Sequence, residues 1–189
     1  MNRTEWSLTD AALDAIIEII NREGLKRILE FGSGYSTYRL ATETESDLDS
    51  IEHLPVHADA ARNALQPYFC KRVWVCPLEA HGRMLTESEA NETRIDGAFY
   101  KIPDSMGRIA LWSGVPFDCV ILDGPNGNGR ARAFEFLKPL ITYPAYILLD
   151  DVEDHDFIGM MRKVYTDELL EKKQEGTKMW SIHKITGVV

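Results

Sequence analysis

Short, almost uninterrupted apolar runs alternate along this chain with stretches of helical periodicity. The clearest run is Phe117–Asp123, which contains Cys-Val-Ile-Leu and is followed by Gly-Pro-Asn-Gly. Similar runs lie at 26–31 and 145–150. A strand buried on both faces is apolar at nearly every position, whereas a strand with one wet face alternates. The pattern therefore predicts an α/β fold, a doubly wound and mostly parallel sheet with helices on both faces.

The remaining elements follow from periodicity and from turn residues. A first helix is expected to begin near Ser7 and Asp10 and to stop at Gly24, with one apolar face made of Leu13, Ile16, Ile17 and Ile20. We expect strands at 26–31, 48–52, 72–78, 117–123 and 145–150, and later helices up to about 42, over 55–67, over 129–141 and, as a long final helix, from about Asp154. Lys178–Thr186 alternates like an edge strand, which suggests pairing with a second copy in a homodimer.

Length and charge limit the classes of protein that fit. The 189 residues favour one domain over 1–189, and the net charge of −9 argues against a nucleic-acid or membrane-surface partner. The longest apolar run, Tyr143–Leu149, is far shorter than the roughly 20 residues that span a bilayer. The first residues lack the apolar core of a secretory signal, so a cytoplasmic protein is expected. We expect Cys70, Cys76 and Cys119 to be buried, free thiols.

One segment interrupts the alternation of strands and helices. Residues 79–116 show weak periodicity and exceed the usual length of a connection in a compact α/β unit. Tyr100, Met106 and Trp112 supply apolar anchors within it. We therefore expect an insertion, either a helix with a lid over the site or a decoration.

A glycine turn follows the first strand directly. The sequence Glu30-Phe-Gly32-Ser-Gly34 leads from strand to helix, where glycines permit a sharp turn and a close backbone approach to a ligand. Glu52 stands at the end of the next strand, where a carboxylate can accept hydrogen bonds from ribose hydroxyls. Dinucleotides and S-adenosylmethionine both fit such a site, but Thr37 stands where a dinucleotide site has its third glycine.

The pattern acid-x-Gly-x-Gly resembles motif I of the class I S-adenosylmethionine-dependent methyltransferases, and the resemblance extends over about 26–155. It implies methyl transfer from S-adenosylmethionine to an oxygen or nitrogen atom of a small molecule. By this resemblance Glu30 orders the loop and Glu52 holds the ribose. The other residues expected at the cofactor are Gly32, Ser33, Gly34, Ser36, Thr37, His53 and Asp123.

Three carboxylates follow two strands that should be neighbours. Asp123 ends the fourth strand, and Asp150 with Asp151 ends the fifth. Carboxylates this close repel one another unless a proton or a cation joins them, and oxygen ligands suit Mg²⁺ or a similar ion. The arrangement is also similar to the metal-dependent O-methyltransferases of the catechol and caffeoyl-CoA type, although Asp151 replaces their Asn and Gly-Pro after Asp123 departs from their pattern. Capping of the following helix by Asp150 and Asp151 is the alternative to a metal site.

Several residues are candidates for narrower roles. Asp123 is our first choice as general base, followed by His155 and His81. Glu79 is a weaker candidate for adenine contact, and Arg130 and Arg132 for contact with an anionic group of the substrate. His53 and His57 have a metal-like spacing, but Pro55 separates them, so we expect no ligation.

Two other functions remain open at this point. An NAD(P)-binding oxidoreductase is disfavoured by Thr37, by Glu30 and by the absence of an evident Tyr-x-x-x-Lys pair. A non-catalytic homologue that keeps or has lost the nucleoside pocket is the second alternative.

Overall fold

The computed structural model describes residues 7–66, 68, 70–91, 95–102 and 115–189. The strands are β1 (Arg27–Phe31), β2 (Asp47–Glu52), β3 (Lys71–Val75), β4 (Leu78–Ala80), β5 (Arg83–Met84), β6 (Phe99–Tyr100), β7 (Phe117–Leu122), β8 (Ile141–Leu149), β9 (Tyr165–Glu175) and β10 (Lys178–Val188). The helices are α1 (Asp10–Glu23), α2 (Tyr35–Glu43), α3 (Pro55–Leu65), α4 (Glu87–Asn91), α5 (Arg132–Leu137) and α6 (Phe157–Arg162), and a 3₁₀ turn covers Asn128–Ala131.

Seven strands form the central sheet in the order β3-β2-β1-β7-β8-β10-β9. The first five are parallel to one another, and β10 runs antiparallel to both of its neighbours. Successive residues of the inner strands point to opposite faces, so Ile28 and Ile121 join one hydrophobic core while Leu29 and Val120 join the other. The prediction of a doubly wound, mostly parallel sheet is confirmed.

The strand order reverses between β1 and β7. The chain moves outward from β1 through β2 to β3 and then returns to place β7 on the other side of β1. In open α/β sheets, ligands bind at the carboxyl ends of the strands beside such a reversal. A ligand site is therefore expected at the carboxyl ends of β1, β2, β7 and β8, which the predicted site residues follow.

The first helix forms for local reasons. Thr9, rather than Ser7, accepts the capping hydrogen bond, from the Ala12 amide at 3.2 Å. Gly24 ends the helix with φ of +65°, a conformation that costs a side-chain-bearing residue more than glycine.

The predicted insertion contains a small second sheet. Within the described part of 79–116, strand β4 pairs with β5 on one side and with β6 on the other, and α4 lies between β5 and β6. Tyr100 is buried, as an anchor should be. The other two expected anchors, Met106 and Trp112, lie outside the described residues.

The last third of the chain differs from the sequence prediction. The expected long final helix is wrong: α6 has only six residues and leads into β9, an eleven-residue strand. Lys178–Thr186 is wrong as an edge strand, because β10 lies inside the sheet between β8 and β9. The exposed border of the sheet on this side is β9.

Smaller corrections concern element ends and cysteines. The expected strand 72–78 ends at Val75, and the expected helix 129–141 is a 3₁₀ turn followed by α5. Strand β8 begins at Ile141, earlier than predicted. Cys76 and Cys119 are buried free thiols, but Cys70 is exposed, so its predicted burial is wrong. None of the described helices has the length and apolar character needed to cross a bilayer.

Candidate cofactor site and acidic cluster

Two glycines meet where β1 and β7 end side by side. The amide of Gly124 donates to the carbonyl of Phe31 at 2.7 Å, which brings the two loops together. A Cβ atom on Gly32 would lie 3.3 Å from the Gly124 nitrogen, and Gly32 has φ of +98°. Both the close approach and the left-handed backbone therefore require glycine at this position. By contrast, a Cβ on Gly34 would meet nothing within 4 Å, so the loop is open on that side.

Glu30 lies beneath this loop, fully buried. Its Oε2 accepts hydrogen bonds from the hydroxyls of Thr37 and Ser50, both at 2.6 Å. Thr37 in turn accepts from the Gly34 amide at 2.8 Å, and Ser50 lies 2.7 Å from the Ser33 hydroxyl. Burial raises the pKa of Glu30 to about 7, against the opposing effect of the nearby hydroxyls. The carboxyl group is thus tied to both sides of the glycine loop.

Glu52 ends β2 with its carboxylate directed at backbone amides. Oε2 accepts from the Ser33 amide at 3.0 Å, and Oε1 accepts from His53 and Leu54 at 2.7 and 2.9 Å. Burial tends to raise the pKa of Glu52, but contact with His53 and the two amides leaves it below its usual value. The group is therefore an ionised acceptor beside the glycine loop. Oε2 makes one of the two hydrogen bonds that a carboxylate oxygen readily accepts, which leaves a position for a ligand hydroxyl.

The insertion supplies one wall of this site. The ring of Tyr100 lies 5.8 Å from that of Phe31 and 6.0 Å from that of His53, centroid to centroid. Its hydroxyl would be 2.5 Å from a Cβ atom on Gly124. Burial raises the pKa of Tyr100 well above its usual value, and the negative charges of Glu52 and Asp123 add to the shift. The hydroxyl is therefore protonated at neutral pH.

The three predicted carboxylates converge. Asp123, Asp150 and Asp151 each place a carboxylate oxygen within 4.8 Å of the others, because β7 and β8 are paired. Burial and the neighbouring Asp150 raise the pKa of Asp123 well above its usual value. Burial and Asp151 raise that of Asp150 to about 6. Apart from contact with Asp123, neither carboxylate oxygen of Asp150 has a hydrogen-bond partner among the described residues.

Arg130 holds the two carboxyl-end loops together. Its Nη2 donates to the Asp123 carbonyl at 2.7 Å and lies 3.1 Å from Asp151 Oδ2. Its Nη1 donates to the Asp150 carbonyl at 2.7 Å, and Nε to the Pro125 carbonyl at 3.2 Å. The side chain is 2% exposed. The expectation that Arg130 meets an anionic group of the substrate is therefore wrong, because these internal acceptors occupy its guanidinium.

A second cation approaches the cluster from the β9–β10 hairpin. The ammonium of Lys178 lowers the pKa of both Asp123 and Asp150, in opposition to burial. It also donates to the carbonyl of Ser7 at 3.0 Å. The cluster thus combines three carboxyls with one buried guanidinium and one partly exposed ammonium.

The other candidate residues differ in their burial and in their partners. His155 follows the acidic pair, and its buried Nε2 has no partner among the described residues. His81 is exposed in the turn between β4 and β5, and His57 is exposed on α3. Glu79 pairs with Lys101 at 3.1 Å and with Arg132 at 3.2 Å. The Glu79 carboxylate, our weaker candidate for contact with adenine, is therefore already paired with two cations.

Sequence reasoning missed three residues of this region. The sequence predicts Tyr100 as an apolar anchor, Arg130 as a contact for an anionic group of the substrate, and Lys178 as part of a strand, and it predicts none of them beside the acidic cluster or the glycine loop as the structure has them. A signal existed for Arg130, because three adjacent carboxyls call for a nearby cation. Nothing in the sequence places Tyr100 or Lys178 here, since both arrive through the packing of distant segments.

No family model matches the sequence, and no curated protein matches it. Among solved structures, the O-methyltransferase from Bacillus cereus in complex with SAH (S-adenosyl-L-homocysteine) is 16% identical, with a TM-score of 0.63 over 97% of this chain and 84% of that one.

Two further solved structures are similar in fold. The N-methyltransferase NodS from Bradyrhizobium japonicum WM9, in complex with S-adenosyl-L-homocysteine, is 10% identical, with a TM-score of 0.58 over 93% of this chain and 86% of that one. A methyltransferase from Geobacter sulfurreducens is 12% identical, with a TM-score of 0.60 over 94% and 80% of the two chains. Similarity at these identities establishes the fold, and the chain therefore has the fold of the class I S-adenosylmethionine-dependent methyltransferases, as the Glu30–Gly34 resemblance predicted.

Proposed function

We propose that this protein binds S-adenosylmethionine and transfers its methyl group to an oxygen or nitrogen atom of a small molecule. The observation that carries the proposal is the placement of the buried Glu52 carboxylate 3.0 Å from the Ser33 amide, within the glycine loop at the strand-order reversal. Solved methyltransferases of the same fold, two of them in complex with S-adenosyl-L-homocysteine, support this choice.

The residues present fit this cofactor. Glu52 offers a free acceptor position to the ribose, and Gly34 leaves open space beside the loop. Glu30 stabilises the loop through Thr37 and Ser50 and is not itself exposed to a ligand. His53 lies next to the expected ribose, with Nδ1 3.0 Å from Glu52.

Methyl transfer makes modest demands on the protein. When bound, the cofactor supplies an electrophilic methyl group on a sulfonium centre, so the chain must align the acceptor atom and accept one proton. Asp123 is the base we favour, because it follows β7 directly beside the glycine loop, where its amide donates to the Phe31 carbonyl at 3.1 Å. His155 is the alternative base, since its Nε2 is unpartnered among the described residues.

A divalent cation is a second part of the proposal. Three carboxylates within 4.8 Å of one another, one of them with unpartnered oxygens, match the hard oxygen ligands of Mg²⁺. Such an ion would orient an acceptor oxygen and lower its pKa. Protonation of the cluster, with Arg130 as its internal cation, is the competing explanation for the same geometry.

Calorimetric titration with S-adenosylmethionine, S-adenosylhomocysteine and NADH tests the function. We expect both adenosyl compounds to bind, and Glu52→Gln to weaken them at least tenfold, while the exposed Glu45→Gln leaves them unchanged. Binding of NADH alone would favour the oxidoreductase. Binding of none of the three would favour a homologue that has lost its pocket.

We also propose that two copies of the chain form a homodimer by pairing along β9, in place of Lys178–Thr186. Leu169 and Leu170 are 44% and 38% exposed on this border strand. Strand β9 forms the border of the described sheet, and a border strand presents backbone N–H and C=O groups to which a strand of a second copy can pair. Light scattering should then give twice the chain mass for the wild type and the single-chain mass for Leu170→Lys. A wild-type monomer contradicts the proposal.

A further inference from the structure

Tyr100 carries a buried hydroxyl whose presence the fold does not explain. The residue is 3% exposed and reaches the site from the insertion, where it pairs with Leu78 across β6 and β4. Among the described residues its hydroxyl has no hydrogen-bond partner. Native proteins rarely leave such a group unpaired, since its desolvation is a cost that phenylalanine would avoid.

The position of this hydroxyl coincides with the strand-order reversal. It would touch a Cβ atom on Gly124, and the Cα of Gly32 lies 3.3 Å from that same point. Two glycines from β1 and β7 thus leave room for the hydroxyl at the place where this class of sheet binds ligands.

The surroundings indicate what the hydroxyl can bind. Burial raises the pKa of the hydroxyl, and the negative charges of Glu52 and Asp123 act in the same direction, so the group stays protonated and acts as a donor. Its ring contacts include Phe31 and His53, which flank the glycine loop and the expected ribose acceptor. A donor in this location lies beside the glycine loop on which the cofactor is proposed to bind, next to the Asp123 end of the acidic cluster.

We propose that the Tyr100 hydroxyl is a cofactor-contacting group that donates a hydrogen bond to bound S-adenosylmethionine or S-adenosylhomocysteine. The inference rests on the proposed function, because it assumes an adenosyl ligand at this edge. It assigns to the insertion a role in holding the cofactor, where the sequence had suggested only a lid or decoration.

The test compares Tyr100→Phe with Tyr165→Phe. The Tyr165 hydroxyl is also buried, but it donates to the Phe134 carbonyl at 2.6 Å. We expect Tyr100→Phe to melt no lower than the wild type without ligand and to bind S-adenosylhomocysteine about three- to tenfold more weakly, the range of one hydrogen bond. Tyr165→Phe should show the reverse: a lower melting temperature and unchanged affinity.

The outcomes separate this inference from the function on which it rests. If the wild type binds neither adenosyl compound, the proposed function fails. If the wild type binds and Tyr100→Phe binds equally well, only the Tyr100 inference is overturned. A lower ligand-free melting temperature for Tyr100→Phe would likewise overturn it, by indicating a structural partner. As an independent reading, the tyrosine ¹³Cζ resonance that is missing from Tyr100→Phe should shift in the wild type when S-adenosylhomocysteine is added.

Discussion

Nη2 of Arg130 lies 3.1 Å from Oδ2 of Asp151, and the two residues belong to loops that follow neighbouring strands. The guanidinium also binds carbonyls in both loops, so one buried side chain sets the spacing of the three carboxyls. The site therefore depends on a residue whose guanidinium is occupied by contacts within the protein.

Replacing Arg130 by Met should destabilise the fold. The substitution keeps much of the volume but leaves Asp151 and three carbonyls without their donor, and loss of one partner of a buried ion pair typically costs about 3 kcal/mol or more. Urea denaturation measures the change. Arg132→Met is the matched control, because Arg132 is 48% exposed and its pairing with Glu79 should contribute less than about 1 kcal/mol. Equal stabilities for the two variants would show that the Arg130 contacts contribute little.

Gly34→Ala should separate binding from folding. A Cβ at this position meets no atom within 4 Å, so the melting temperature should stay close to that of the wild type. A methyl group on the open side of the loop should obstruct the cofactor and weaken S-adenosylhomocysteine at least tenfold by calorimetry. Gly129→Ala is the contrasting variant, since its Cβ would lie 1.9 Å from the Ala98 carbonyl oxygen and should prevent stable folding. Unchanged affinity in Gly34→Ala would place the cofactor elsewhere.

Glu30→Gln should change how stability depends on pH. The pKa of Glu30 is raised to about 7, so the folded state holds its proton more tightly than the unfolded state. Stability from this group is therefore present at low pH and is lost as the pH rises from about 4.5 to about 7, by up to about 3 kcal/mol. Unfolding at pH 5 and pH 8 should show a smaller decline in Glu30→Gln than in the wild type, with the exposed Glu45→Gln behaving like the wild type. An equal loss of stability between pH 5 and pH 8 in all three proteins would contradict this prediction.

Divalent ions should stabilise the protein in a pH-dependent manner. Mg²⁺ or Mn²⁺ must displace protons from a cluster in which the pKa of Asp150 is raised to about 6, so ions should raise the melting temperature more at pH 8 than at pH 5. Asp150→Asn should abolish the rise, and Asp59→Asn, on the exposed surface of α3, should retain it. A rise that survives Asp150→Asn assigns the ion to another site.

The acidic cluster was predictable because it follows from the topology. Two apolar runs that follow one another in a parallel sheet tend to be neighbours, and residues at their carboxyl ends must then meet. The run before Asp123 and the run before Asp150 were both visible in the sequence. Glu30, Gly32 and Glu52 could also be predicted from the sequence, because their roles depend on local turns at the ends of strands.

Strand β9 could not be predicted in this way. Its sequence is rich in Glu, Leu and Lys, residues that favour helices, and most of its positions are exposed. Pairing along β10 outweighs that local preference, and such pairing is a property of the folded chain. The positions of Tyr100 and Lys178 could not be predicted either, because they too depend on contacts between distant segments of the folded chain.

Through Lys178, the charge state of the acidic cluster is linked to the conformation of the β9–β10 hairpin. Since its ammonium favours the ionised forms of Asp123 and Asp150, those ionised forms must by reciprocity favour the hairpin conformation that keeps Lys178 in place. Amide hydrogens at the start of β10 should then exchange more slowly as the cluster ionises. Protonation of Asp123 and Asp150 should therefore speed amide hydrogen exchange at the start of β10, a segment far from Asp123 and Asp150 along the chain.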